Sequence, residues 1–155
     1  MPENNYALEW FNFGRERCSD PVSRFMMYWV AFNWLYNESQ QEDEAAKIRE
    51  FCRNHYDRLS LYDPFGTEAF HVFKDGPVRS RVRGRIEENT GLYRRLRREY
   101  GECQVEDLLL TIYHVRCNLF HGSKSLLIQR DVELVRSSAT IMEGYLKALL
   151  LDDYA

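Results

Sequence analysis

Residues 105–122 read VEDLLLTIYHVRCNLFHG, and this stretch decides the fold class. Val105, Leu108, Leu109, Ile112, Tyr113 and Phe120 recur at the three- and four-residue steps that keep one face of a helix apolar. Gly122 stands where that helix should stop, because glycine enters the left-handed conformation that closes a helix without steric cost. The spacing predicts a helix over 105–120. A second long helix follows over 131–151, where Val135, Ala139, Met142, Tyr145, Leu146 and Leu149 repeat the pattern.

Working outward, Asp20-Pro21 is a helix start: a carboxylate to accept free N–H groups, then proline at the first helical position. Phe25, Met26, Trp29, Val30, Phe32, Asn33 and Tyr36 give that helix a wide apolar face with one amide embedded in it. Asn37 and the polar run after it end the helix. Glu42, Asp43 and Glu44 then open another, on which Ile48, Phe51, Cys52, His55, Tyr56 and Leu59 step by three and four. Residues 60–91 are the least regular. Asp63-Pro64-Phe65-Gly66 and Asp75-Gly76-Pro77 are turn signals that isolate a short segment, 67–74. Helical character returns over 78–100, with a break near Asn89-Thr90-Gly91. No repeat, linker or low-complexity tract interrupts the chain, so residues 1–155 are expected to form one all-α domain, a bundle of about five to seven helices.

Composition agrees. The 155 residues are 45% hydrophobic and 29% charged, the balance of a folded chain rather than a disordered one. Eight glycines and four prolines are too few for the turns of an all-β sandwich. The apolar runs fall far short of the roughly 20 residues that cross a bilayer. Met1-Pro2-Glu3-Asn4-Asn5 lacks the basic and apolar parts of a signal peptide, so a cytoplasmic protein without membrane contact is expected. Cys18, Cys52, Cys103 and Cys117 show no ligand spacing and read as reduced thiols, with Cys52 and Cys117 acting as small core hydrophobes. His55 and His71 have no carboxylate or cysteine arranged around them for a metal. Neither a metal nor a cofactor is expected.

Chemistry concentrates at the end of the first helix. Arg116 and His121 are five residues apart, about 140° around a regular helix, and converge only if the last turn loosens. Together they suit a phosphodiester. A guanidinium forks onto phosphate oxygens, and an imidazole can move the proton of a ribose 2′-hydroxyl near neutral pH. The same pair also fits a structural role, a histidine against the helix dipole and an arginine in solvent.

The stretch YHVRCNLFHGSK, residues 113–124, resembles the Arg-x(4–6)-His signature of the HEPN superfamily (higher eukaryotes and prokaryotes nucleotide-binding domains). WVAFNWLY, residues 29–36, looks like the aromatic-and-asparagine motif on an earlier helix of some HEPN families. The resemblance implies a helical bundle, often a two-fold dimer. Many such proteins are metal-independent endoribonucleases, several of them toxins or phage-defence effectors; others bind nucleotides or proteins without known catalysis. Arg116 would then stabilise charge on the scissile phosphate and His121 would assist proton transfer. The family often has a polar residue directly after the arginine. Here Cys117 takes that place, and Asn118 is expected to supply the extra hydrogen bond.

In-line attack by a 2′-hydroxyl needs one group to take a proton and another to give one, while the motif holds one histidine per chain. A homodimer with a composite cleft is expected, cutting RNA to a 2′,3′-cyclic phosphate and a 5′-hydroxyl; the resemblance to toxins implies an antitoxin or other regulatory protein as a further partner. A non-catalytic HEPN-like scaffold is the alternative. Eight arginines crowd residues 79–98, and Arg79, Arg83, Arg94, Arg95 and Arg98 are the candidates for RNA contact. A solvated face paired with Glu87, Glu88 and Glu99 is the other reading. Asn33 either bridges to the Arg116 segment or caps a helix. His114 either borders the cleft or is satisfied elsewhere. Lys124 and Arg130 are spare cations near the motif, and Trp29, Trp34 and Tyr36 read as core or dimer interface.

Overall fold

The computed structural model describes residues 5–82, 85–98, 101–120 and 129–153. Two helices come first, α1 (Asn5–Arg17) and α2 (Pro21–Tyr36). Asp20 Oδ1 accepts the Ser23 N–H at 2.8 Å and Pro21 opens α2, as the sequence predicts. Next is α3 (Glu44–Asn54), capped by Asp43, whose Oδ2 accepts the Ala46 N–H at 3.0 Å. A break at His55 separates the single turn α4 (Tyr56–Leu59). Thr67 caps α5 (Glu68–Lys74), the segment that the two turn signals isolate.

The chain then leaves the helical pattern. Strands β1 (Arg79–Val82) and β2 (Arg85–Glu88) pair antiparallel, with Arg79 opposite Glu88 and Ser80 opposite Glu87. Helix is the wrong expectation for this part of 78–100. Val78, Val82 and Ile86 step by four, which imitates a helical stripe, but β-branched residues serve a strand as well, and opposite charges across the pair favour it. Asn89 closes the hairpin by donating its N–H to the Val78 carbonyl at 2.9 Å, and its Oδ1 caps α6 (Thr90–Arg98) through the Leu92 N–H. The long helices α7 (Glu102–Phe120) and α8 (Gln129–Leu150) complete the fold. Eight helices among the described residues exceed the expected five to seven, because the sequence reading missed α1 and merged the turn of α4 with α3.

The helices share one apolar core. α2 packs on α1 and α8, α7 on α3, α6 and β1, and α5 on α8. Trp29 is its aromatic centre, with Phe32, Tyr36 and Tyr113 rings at 5.4, 6.1 and 6.1 Å. Burying each such side chain contributes about 1.5–3 kcal/mol, and the Trp29–Tyr113 ring contact links α2 to α7. Arg58 donates to the Ala148 and Leu151 carbonyls and so satisfies the end of α8. Arg130, a spare cation in the sequence, is tied to the Val72 and Gly76 carbonyls. No helix among the described residues is long and apolar enough to cross a membrane.

Candidate functional site

The last turns of α7 carry Arg116, and α2 and α3 build its surroundings. The Arg116 guanidinium lies over the Phe120 ring at 4.7 Å and places Nη1 3.8 Å from Glu44 Oε2. Nη1 also approaches Cys117 Sγ at 3.8 Å, a weak contact. Its Nε is buried and finds no hydrogen-bond partner among the described residues. The side chain keeps 24% of its surface open and that of Glu44 keeps 32%, so the pair is held but reachable.

Glu44 is the first residue of α3, where the positive end of the helix dipole favours a carboxylate. The buried Tyr36 hydroxyl donates to it in a short hydrogen bond, and in turn accepts from Asn33 Nδ2 at 2.8 Å. Burial, followed by the bond to Glu44, pushes the Tyr36 hydroxyl well above its ordinary range, so it stays a donor. Tyr113 is raised in the same direction by burial, with Cys117 and Glu44 beside it. A chain of contacts thus runs from Asn33 through Tyr36 and Glu44 to Arg116. Among the described residues, Asn33 is linked to the Arg116 segment only through Tyr36 and Glu44. Trp29 and Tyr36 are buried, whereas Trp34 is exposed and stacks on Tyr6 at 5.0 Å.

The other predicted residues scatter. Asn118 is buried and donates Nδ2 to the Arg79 carbonyl at 2.7 Å, so its described contact anchors the hairpin to α7. Two residues on from Arg116, it lies about 200° around the helix and faces away. His114 is equally turned from Arg116. Its ring sits 5.3 Å from that of Tyr113, and burial lowers its pKa below the ordinary histidine value, so it is neutral at pH 7. His121, Lys124 and Arg83 lie outside the described residues. Cys52 is fully buried, as expected, and burial pushes its thiol up. Cys117 is instead half-exposed, because its position on α7 turns it toward the polar cluster beside Arg116.

The basic set also divides. Arg79 is exposed near the Asn118 end of α7. Arg95 is committed elsewhere, its Nε 3.3 Å from the buried Asp107 carboxylate. Arg94 and Arg98 are exposed without an ion pair among the described residues, and with Tyr93 and Arg97 they line a groove of about 260 Å³ on α6. Arg97 donates to the Tyr93 hydroxyl at 3.2 Å and lies over that ring at 5.4 Å. No group of three or more histidines, cysteines or carboxylates is arranged for a metal among the described residues.

Glu44 is the site residue that sequence reasoning missed. In the sequence it is one of three acidic residues in a helix start; only the packing of α3 on α7 puts it against Arg116. A hint existed in Asn33 and Tyr36, polar groups three apart on an otherwise apolar face, which need a partner. No family model, curated protein or solved structure matches this chain.

Proposed function

We propose that this chain is a HEPN-like, metal-independent endoribonuclease that works as a cytoplasmic homodimer, the toxin or effector of a defence system held in check by an antitoxin or similar protein. The observation that carries the reading is the placement of Arg116. It is partly open on the last described turns of α7, braced by Glu44 and Phe120, five residues ahead of His121 in the sequence. A braced guanidinium is ready to bind a phosphate and to stabilise the charge that develops on it.

In this reading the ribose 2′-hydroxyl attacks the adjacent phosphorus. One His121 takes the hydroxyl proton, Arg116 holds the equatorial oxygens, and the partner subunit's His121 gives a proton to the departing 5′-oxygen. His114 is poorly suited to either role, since burial disfavours its charged form and it faces away from Arg116. The basic residues of α6 and Arg79 would carry the flanking strand. The test is incubation of purified protein with RNA in EDTA beside Arg116→Ala and His121→Ala. Cleavage by the parent and loss in both variants is the expected result.

One observation favours the non-catalytic alternative. Glu44 already neutralises Arg116 within the chain. Nucleotide or protein binding without RNA cleavage, insensitive to His121→Ala, would select that scaffold reading.

A further inference from the structure

A cleft of about 440 Å³ opens at the start of α7, where α4, α5 and α6 meet it. Gln104 is twelve residues from Arg116, about 18 Å along the helix, so this is a separate place from the site above. The volume lies in the range of small-molecule sites. Tyr56, Tyr62 and Phe65 supply aromatic wall, Lys74 and Arg97 supply positive charge, and Gln104 supplies an amide. Gln104 is only 9% exposed, yet its side chain has no hydrogen-bond partner among the described residues. The residue is mostly buried but its amide atoms are still reached by solvent from the cleft, where a ligand can meet them. Gly101, at φ +73°, turns the backbone into α7 and leaves this wall without a side chain.

We infer that this cleft binds a nucleobase carrying a phosphate, either as a free nucleoside monophosphate or as one residue of an RNA strand. An aromatic wall suits the flat face of a base. A carboxamide, with two donors and an acceptor, matches the mixed edge of a base better than it matches an aliphatic ligand. Lys74 and Arg97 suit the phosphate, and Arg97 also borders the groove of Arg94 and Arg98, which continues the positive path outward. Asp63 is the one carboxylate on the wall among the described residues. Its Oδ1 accepts the Phe65 N–H at 3.0 Å, and its other oxygen suits a ribose hydroxyl or a base amino group rather than the phosphate. The strand form of the inference rests on the ribonuclease reading; the free-nucleotide form does not.

The test is calorimetric titration of the full chain with AMP, GMP, CMP, UMP, uridine and inorganic phosphate, followed by competition with a single-stranded oligonucleotide of about ten residues. At least one monophosphate should bind saturably, with uridine and phosphate each weaker by about tenfold or more, the loss of roughly one good charged or stacking contact. Gln104→Leu and Arg97→Ala should each weaken binding about fivefold or more, in line with one hydrogen bond. Lys74→Ala, at an exposed position, gives the same reading if Gln104→Leu does not fold. Displacement by the oligonucleotide at far lower concentration than by the monophosphate assigns the site to a strand; absence of displacement assigns it to a free nucleotide. No saturable nucleotide binding, or binding unchanged by all three substitutions, overturns the inference. A chain that binds nucleotides here but cuts no RNA retains the cleft and loses the ribonuclease reading.

Discussion

Helices α3 and α7 lie side by side and are joined by arginine–carboxylate contacts at both ends, yet the two ends are built oppositely. At the start of α7 the carboxylates are on α7 and are buried, Glu106 at 7% and Asp107 at 2% exposure, while their arginines reach in from outside. Arg49 stands 3.6 Å and Arg95 3.3 Å from Asp107, with Arg53 4.0 Å from Glu106. At the end of α7 the arginine is on α7 and the carboxylate on α3, both partly open. The first arrangement consumes its charges inside the fold and leaves the arginines' outer surfaces wet. The second leaves a cation that an incoming anion can share. Arginine–carboxylate pairs are therefore poor evidence of function until the burial of each partner is known.

Substitutions can break or sharpen this contrast. The largest effects belong to the open end: Arg116→Ala and His121→Ala should each lower RNA cleavage by a factor of about 100 or more, as loss of a charge-stabilising donor or of acid–base catalysis does. Their folding midpoints in urea should shift little. Asp107→Ala should do the reverse. It removes a buried carboxylate shared by two arginines, and stability should fall by about 1–3 kcal/mol, because those arginines are exposed enough to be rehydrated. Cleavage at a temperature where the variant is folded should match the parent.

Glu44→Gln tests the brace. The amide can still accept from Tyr36, so stability should change by less than about 1 kcal/mol. Cleavage should fall about tenfold through kcat, with the Arg116 guanidinium less well positioned. An unchanged rate would make the pair a surface contact only. The smallest effect is a pH slope. Burial outweighs Arg53 and Arg49 and holds the Glu106 pKa above the usual carboxylate value, so the folded chain binds that proton more tightly than the unfolded chain does. Its contribution is thus most favourable in acid and declines as pH rises through the ordinary carboxylate range to the raised value. Glu106→Gln should flatten the dependence of the urea midpoint on pH from the ordinary carboxylate range upward.

The helical body was legible because its signals are local. Asp20-Pro21, the turn signals on either side of 67–74 and the apolar steps of α7 and α8 each act within a few residues. The hairpin was not, since Val78, Val82 and Ile86 satisfy a helical and an extended pattern equally, and the choice is made by Asn118 and α7 from far along the chain. The site divides in the same way. Arg116 could be read from its own segment. Glu44 could not, because its meaning depends on α3 lying against α7. Asn118 beside the arginine in sequence proved to face the hairpin, a consequence of helical angle that adjacency conceals.

In the proposed reaction the open end of α7 directs a 2′-hydroxyl onto its neighbouring phosphate without a metal. End-group analysis of RNA incubated with the full chain in EDTA addresses it directly. The expected products are 2′,3′-cyclic phosphate and 5′-hydroxyl ends that disappear with His121→Ala. Intact RNA, 3′-hydroxyl ends, or the same products from the His121→Ala protein would contradict it.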